Sequence, residues 1–353
     1  MKIAQVAPLY ESVPPATYGG TERIVSYLTE ELVQQGHDVT LFASGDSRTR
    51  ARLIPQIDRA LRLDSHCLDT MAPHVVMVEE VFRRADEFDI IHFHIDYVHF
   101  SVCRRMRIPS LTTLHGRLDI PELGMLFETF SDVPVNSISL AQRSPIPWAN
   151  WVGTVHHGLP KDLYSLEESS GKYLTFVGRV SPEKGLGEAI EIAKRAGMPF
   201  KIAAKVDKKD AEFYETTIRP LLDHPLIEFM DEIGDEGKQE LIGHAAGLLF
   251  PIDWPEPFGI VMIEAMACGT PVIAFRHGSV PEVIDDGVTG FVVDNVPQAV
   301  KKVEQLGSIS RRRCRQVFEA RFSASRMAND YVELYHELQT GGADVELEVR
   351  ECL

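Results

Sequence analysis

Two glutamates in one short stretch carry the strongest chemical signal, in Trp254-Pro255-Glu256-Pro257-Phe258-Gly259-Ile260-Val261-Met262-Ile263-Glu264-Ala265-Met266-Ala267-Cys268-Gly269. A helix is expected to start near Phe258 and to end at Gly269, a residue suited to the C′ position. Glu256 then lies in the entry loop and Glu264 about two turns along. At ~1.5 Å rise per residue the carboxylates stand on the order of 10 Å apart. A double-displacement glycosidase wants its pair ~5 Å apart, so that chemistry fits poorly. Two separated acceptors suit a long ligand that carries hydroxyls at both ends. Ile263, Ala265, Met266 and Ala267 are apolar, which argues against Glu264 merely solvating a helix face.

A second candidate follows a strand: Val177-Gly178-Arg179-Val180-Ser181-Pro182-Glu183-Lys184-Gly185. Arg179 offers a planar fork of donors and Lys184 a point charge, a combination suited to a diphosphate. Lys205, after the strand Phe200–Ala204, reads as a third cation or as a solvated lysine. Tyr18-Gly19-Gly20-Thr21-Glu22-Arg23 stands between a strand and a helix. It is either a tight turn or a place where backbone amides meet an anion. It lacks the G-x-G-x-x-G spacing of a dinucleotide fingerprint. Ser279 and Glu282 have capping-box spacing. His115 closes a strand before Gly116, while His92 and His94 share one strand face, with His94 a candidate pocket wall. No HExxH, Walker A or G-x-S-x-G pattern occurs, and no cluster demands a metal.

These residues need a scaffold that places loops at strand ends. Apolar runs at Ile3–Ala7, Val39–Ala43, Asp89–His94, Ser110–His115 and Val135–Ile138 alternate with helical patterns such as Glu22–Gln35. The second half repeats the plan with strands at Tyr173–Val177, Phe200–Ala204, Ile227–Phe229, Gly247–Pro251 and Pro271–Ala274. Such alternation predicts parallel sheets joined by crossover helices. The polar run Lys161–Lys172 reads as the linker. The expected class is therefore α/β, with two Rossmann-like doubly wound domains, each offering ligand loops at its strand C-termini across a cleft. Residues 1–165 would form the first domain and 166–325 the second, with a helix over 326–340 returning to the first and a mobile tail over 341–353.

At 353 residues the chain is long enough for two domains. Its 36 basic against 52 acidic residues give a formal charge of −16, which argues against nucleic acid as a partner. The opening MKIAQV reads as a buried strand rather than a leader, and five cysteines without ligand spacing predict free thiols and a cytoplasmic protein. The basic run Arg311-Arg312-Arg313-Cys314-Arg315 reads as a solvated helix face, with anionic lipid headgroups as the other option.

Together the segments GGTER, TLHG, VHHGL, GRVSPEKG, EPFGIVMIE, GSVPEV and GVTGFVV resemble the retaining glycosyltransferase family 4 of the GT-B fold, over nearly the whole chain. The resemblance implies a nucleotide-sugar donor, with UDP-glucose the first expectation and GDP-mannose next. The acceptor is open: a saccharide, a small molecule or a lipid-linked group. It implies that Arg179 and Lys184 bind the diphosphate, Glu256 the transferred sugar and Glu264 the ribose, within a donor site that includes Phe258, Gly259, Ile260 and Lys205. Gly19 and Gly20 would approach the phosphates, His115 would line the reaction centre, and Tyr18 and His94 would face the acceptor. No cofactor or metal is expected. A sugar-nucleotide epimerase shares the fold, but would not require the two glutamates at this spacing. A non-catalytic binding protein would be expected to lose one of the four charged residues, and this chain keeps all four.

Overall fold

The computed structural model describes all residues except Thr17, Tyr18, Ser65, Arg107, Ser170, Cys352 and Leu353, and except the side chains of 341–351. The first seven strands are β1 (Lys2–Val6), β2 (Asp38–Ala43), β3 (Arg52–Pro55), β4 (Ile90–Phe93), β5 (Ser110–Thr113), β6 (Val135–Ser137) and β7 (Trp151–Thr154). They form one sheet in the order β3-β2-β1-β4-β5-β6-β7, every pair parallel. The next six are β8 (Leu174–Arg179), β9 (Phe200–Lys205), β10 (Ile227–Met230), β11 (Gly247–Phe250), β12 (Val272–Phe275) and β13 (Gly290–Val293). Their order is β10-β9-β8-β11-β12-β13, again all parallel. Each order reverses at the sheet's first strand, which is where doubly wound sheets open a crevice for ligands. Helices cover both faces, so β4, β11 and β12 are buried throughout, and apart from His92 in β4 they carry no polar side chain.

The edge strands β3, β7 and β13 fall outside the strands expected from sequence. Arg52–Pro55 and Trp151–Thr154 are short and only partly buried, so they lack a strong apolar signature. Strand β4 ends at Phe93 and β5 at Thr113, which leaves His94 and His115 just beyond their strands. The first helix is Gly20–Gln34, two residues earlier at its start than the apolar spacing suggests.

The chain divides into one unit of residues 1–158 with 324–353 and another of Leu159–Ser323. The polar run Lys161–Lys172 is therefore not a free linker but part of the second unit. The cause is a pair of arginines from the helix Arg311–Arg321. Arg315 donates to the carbonyls of Lys161 and Tyr164 at 2.6 Å each, and to that of Ala267 at 2.9 Å. Arg311 is 8% exposed and donates to the carbonyls of Glu167 (2.6 Å), Ala245 (2.9 Å) and Gly243, and to the Thr270 hydroxyl (2.8 Å). The basic run is accordingly neither a plain solvated face nor an open cationic patch. Two of its four arginines cross-brace the backbone.

The last helix, Ala324–Glu351, packs in the first unit, where Tyr331 and Tyr335 are buried. It continues past Leu338, the end read from sequence. A glycine costs ~1 kcal/mol against alanine in a helix but does not by itself stop one. The expected mobile tail falls on residues whose side chains, or whole residues, lie outside those described. Cys67, Cys103, Cys268 and Cys314 are free thiols. Among the described residues no helix is long and apolar enough to cross a membrane.

Candidate active site

The second sheet places its polar residues at the C-terminal ends of β8, β9 and β11. Arg179 is the last residue of β8 and pairs in register with Lys205, the last of β9. Asp207 stands between these cations, 3.7 Å from Arg179 and 3.6 Å from Lys205. Arg179 also meets Glu183 at 2.7 Å and Asp210 at 3.7 Å. Burial raises the Glu183 pKa, but its own backbone amide, the nearby Ser181 hydroxyl dipole and the Arg179 guanidinium outweigh it and hold the carboxyl below its usual range. After β8 the chain makes the short turn Pro182–Lys184 and leaves it at Gly185, with φ of 69°. A side chain at Gly185 would collide with the Pro251 carbonyl, so glycine is what lets the Lys184 turn sit against the end of β11.

Lys184 reaches Glu256 across that approach and ion-pairs with Oε2. The Trp254 indole donates to the same oxygen at 2.9 Å, and the ammonium lies 5.1 Å from the Trp254 ring centre. Glu256 is 9% exposed, so the charge is largely withdrawn from water and needs both donors. The helix that follows runs Ile260–Ala267, two residues later than expected at its start. Gly259 caps it at φ 76°, and Gly269, at φ 81°, lies just past its end. The Phe258 ring is buried edge-on to Phe322 at 6.2 Å, so this residue offers the site its backbone and not its side chain. First-turn amides such as those of Ile260 and Val261 have no acceptor one turn back, a shape that suits an anion or a hydroxyl oxygen.

Glu264 is buried at 3% exposure and is held by Lys238 at 2.7 Å and the Tyr164 hydroxyl at 3.3 Å. Lys238 and Tyr164 do not emerge from the sequence reading. For Lys238 a signal existed: Gly234-Asp235-Glu236-Gly237-Lys238 follows β10 and opens the helix Asp235–Gly243, a lysine beside glycines after a strand, like Lys184.

The segment after β12 supports Glu256 from beneath. The Ser279 amide donates to the Glu256 carbonyl at 3.0 Å, and its hydroxyl to the Phe258 carbonyl at 2.7 Å. The capping-box reading of Ser279 is thus corrected: its side chain makes no cap bond in the helix Val280–Val283, because Phe258 has claimed it. Gly278 adopts φ 51°, and a side chain there would collide with the backbone O and N of Glu256. Gly278→Ala is expected to displace Glu256, reducing activity at least tenfold and stability by ~1–3 kcal/mol. Steady-state kinetics with urea unfolding will check it. Wild-type values in both would show that the loop yields without moving the carboxylate.

In the first unit, Gly19 caps the helix Gly20–Gln34 with φ 150°, so the helix N-terminus begins at the glycine pair. Tyr18 lies outside the described residues. His94 and His115 are brought together, His94 Nδ1 to His115 Nε2 at 2.9 Å, and His157 stacks on His115 at 5.3 Å between ring centres. Burial pushes His115 down to about 3, and burial followed by the neighbouring imidazoles pushes His94 and His157 well below the ordinary histidine range. The structure therefore groups Arg179 with Lys205, Lys184 with Glu256 and Glu264 with Lys238 in one unit, and His94 with His115 in the other.

Comparison with known proteins places this constellation. The model for glycosyl transferases group 1 matches residues 165–319, and that for glycosyltransferase family 4 matches residues 18–172. The chain belongs to the family 4, group 1 glycosyltransferases. As a glycosyltransferase it is 26% identical to N-acetyl-alpha-D-glucosaminyl L-malate synthase of Bacillus anthracis, over 96% of this chain and 98% of the relative. In structure it is similar to AviGT4, a glycosyltransferase involved in avilamycin A biosynthesis (TM-score 0.75, 22% identity, 97% of this chain and 98% of that one). It is similar also to HepE of Anabaena, solved with UDP-glucose (TM-score 0.72, 18% identity, 96% and 100%). These neighbours share the GT-B fold with this chain.

Proposed function

We propose that this glycosyltransferase moves a hexose from a nucleoside-diphosphate sugar to an acceptor hydroxyl with retention of anomeric configuration. The observation that carries the reading is the Lys184–Glu256 pair, a cation and a carboxylate held together at the end of β8 and the entry of the helix Ile260–Ala267. Leaving-group departure builds negative charge on the diphosphate and positive charge on the sugar ring. Arg179 and Lys184, with Lys205 beside Arg179, are the groups to take the first, and preorganised charge of this kind is a large term in catalysis. Glu256 and the backbone of Phe258, Gly259 and Ile260 would hold the transferred sugar, and Glu264 the ribose. Gly19 and Gly20 would meet a phosphate and His115 would stand beside the sugar, whereas His94, buried with its two ring nitrogens bonded to His115 and Gln5, has no polar atom left for an acceptor. A phosphate oxygen can take the acceptor proton as the new bond forms, which requires no protein nucleophile. The chain's own cations supply the charge, so turnover is expected to survive chelator.

HepE was solved with UDP-glucose, which makes uridine the first base to test, and guanosine the second. The test is a panel of nucleoside diphosphates followed by thermal unfolding, then nucleotide release from the matching sugars, with NMR of the product anomer. The cognate diphosphate at 100-fold its Kd is expected to stabilise by ~2.7 kcal/mol. Inversion at the anomeric carbon, or no stabilisation by any diphosphate, would overturn the reading. The acceptor class, whether saccharide, small molecule or lipid-linked, follows from the same assay with the donor fixed.

A further inference from the structure

His115 ends a buried chain of polar groups. His94 Nδ1 lies 2.9 Å from its Nε2, and His94 Nε2 lies 2.8 Å from Gln5 Oε1. The Gln5 amide donates from Nε2 to the Tyr335 hydroxyl at 3.1 Å. That hydroxyl is 2.7 Å from His92 Nδ1, and His92 Nε2 is 2.7 Å from Thr113 Oγ1. Gln5, His92, Thr113 and Tyr335 are fully buried and His94 is 3% exposed. All belong to the first unit, drawn from β1, β4, β5, the residue after β4 and the last helix. Buried polar groups in a low-dielectric interior act as a set, because leaving any one unsatisfied is costly.

With the Gln5 amide turned so that Nε2 faces Tyr335, the direction of donation along this chain is set at Gln5. Its NH2 group donates to Tyr335, so its carbonyl accepts, and His94 must carry its proton on Nε2. Burial keeps His94 neutral, with the imidazoles of His92, His115 and His157 adding to the effect. Neutral and protonated on Nε2, His94 has only a lone pair at Nδ1. The facing nitrogen of His115 must then donate, which puts the His115 proton on Nε2. Its other nitrogen, Nδ1, is left bare, and it has no hydrogen-bond partner among the described residues.

We propose that Gln5 and Tyr335 are positioning residues that fix His115 in the Nε2–H tautomer, so that its Nδ1 receives a hydroxyl group of a substrate. A bare imidazole nitrogen accepts from a hydroxyl and repels the lone pairs of a phosphate or carboxylate oxygen. The chemical class at this position is thus a polyol or sugar hydroxyl. The role in turnover rests on the transferase reading above, whereas the tautomer does not.

The experiment is 15N NMR of the histidine rings in the full chain, with the His115 signals assigned by their loss in His115→Gln. The expected result is a protonated Nε2 and an unprotonated Nδ1. A proton on Nδ1, or on both nitrogens at neutral pH, overturns the proposal. Gln5→Met keeps the side-chain length and removes the amide. It is expected to mix the two His115 tautomers and to lower kcat about tenfold, the loss of roughly one neutral hydrogen bond. Binding of nucleoside diphosphate, measured by calorimetry, is expected to stay unchanged. Tyr335→Phe deletes one oxygen and is expected to act in the same direction more weakly. An unaltered tautomer in both variants overturns the positioning role. A mixed tautomer with unchanged kcat supports the relay and removes His115 from the proposed reaction centre.

Discussion

Lys184→Ala is expected to reduce kcat by roughly 10²–10³, the usual cost of deleting one preorganised charge from a site where charge develops. The lysine is 21% and Glu256 11% exposed at the side chain, so the variant leaves a mostly buried carboxylate held by the Trp254 indole and is expected to lose some stability while remaining folded. Glu256→Gln makes a sharper test, because its effects on binding and on transfer should have opposite signs. Without ligand, Lys184 Nζ is engaged by Glu256, so an incoming diphosphate competes with that carboxylate for the same ammonium. Neutralising Glu256 releases the lysine. Nucleoside diphosphate affinity is then expected to rise, by up to about fivefold if the pair is worth ~1 kcal/mol. Transfer is expected to fall to near background, since the group proposed to hold the sugar has lost its charge. Calorimetry with the diphosphate and turnover with its sugar separate the two. Unchanged turnover in Lys184→Ala, or weaker diphosphate binding in Glu256→Gln, would show that the two residues do not share one ligand.

The features legible in the sequence are those encoded within a few residues. Alternation of apolar runs with helical spacing gave the central strands, since a buried parallel strand is apolar on both faces. Arg179, Lys184, Glu256 and Glu264 stood out because each sits beside glycines or in an otherwise apolar run. Bonds that span the chain left no such trace. Lys238 meets Glu264 from a helix 26 residues earlier, and Tyr164 meets it from 100 residues away. Arg311 and Arg315 looked like surface charge because sequence does not say that carbonyls some 150 residues earlier in the chain will be left needing donors. For the same reason Lys161–Lys172 read as a linker: its composition is polar, yet its backbone is pinned. Ser279 had the spacing of a cap and the geometry of a brace. In each case the local pattern was sound, and a tertiary partner with a stronger claim on the same group overrode it.

The buried histidines lead to an expected acid sensitivity that has nothing to do with catalysis. His92, His94, His99 and His157 are at most 3% exposed, and each is held neutral mainly by burial, with His99 pushed down to about 3. His74 adds a geometric reason, since its Nε2 accepts the Leu9 amide at 3.0 Å and that bond is lost on protonation. In the unfolded chain these rings titrate near the ordinary 6.5. Between 6.5 and the depressed folded values the unfolded state binds more protons than the folded one, so stability rises with pH across that window. It is complete above about pH 6.5 and declines steadily as the solution is acidified toward 3. One pH unit below 6.5, a single histidine of this kind costs ~1.4 kcal/mol, and the four deeply buried rings together on the order of 5 kcal/mol. Urea unfolding at pH 7.5 and 5.5 is therefore expected to show a much lower midpoint at 5.5 with the same slope in denaturant. His99→Gln, which keeps a polar group within reach of the Thr112 hydroxyl now 2.7 Å from His99 Nε2, should flatten the dependence by about one proton. A midpoint that does not move between the two pH values would mean that these imidazoles are charged or solvated in the folded protein. The neutral His94 on which the His115 relay depends would then be lost as well.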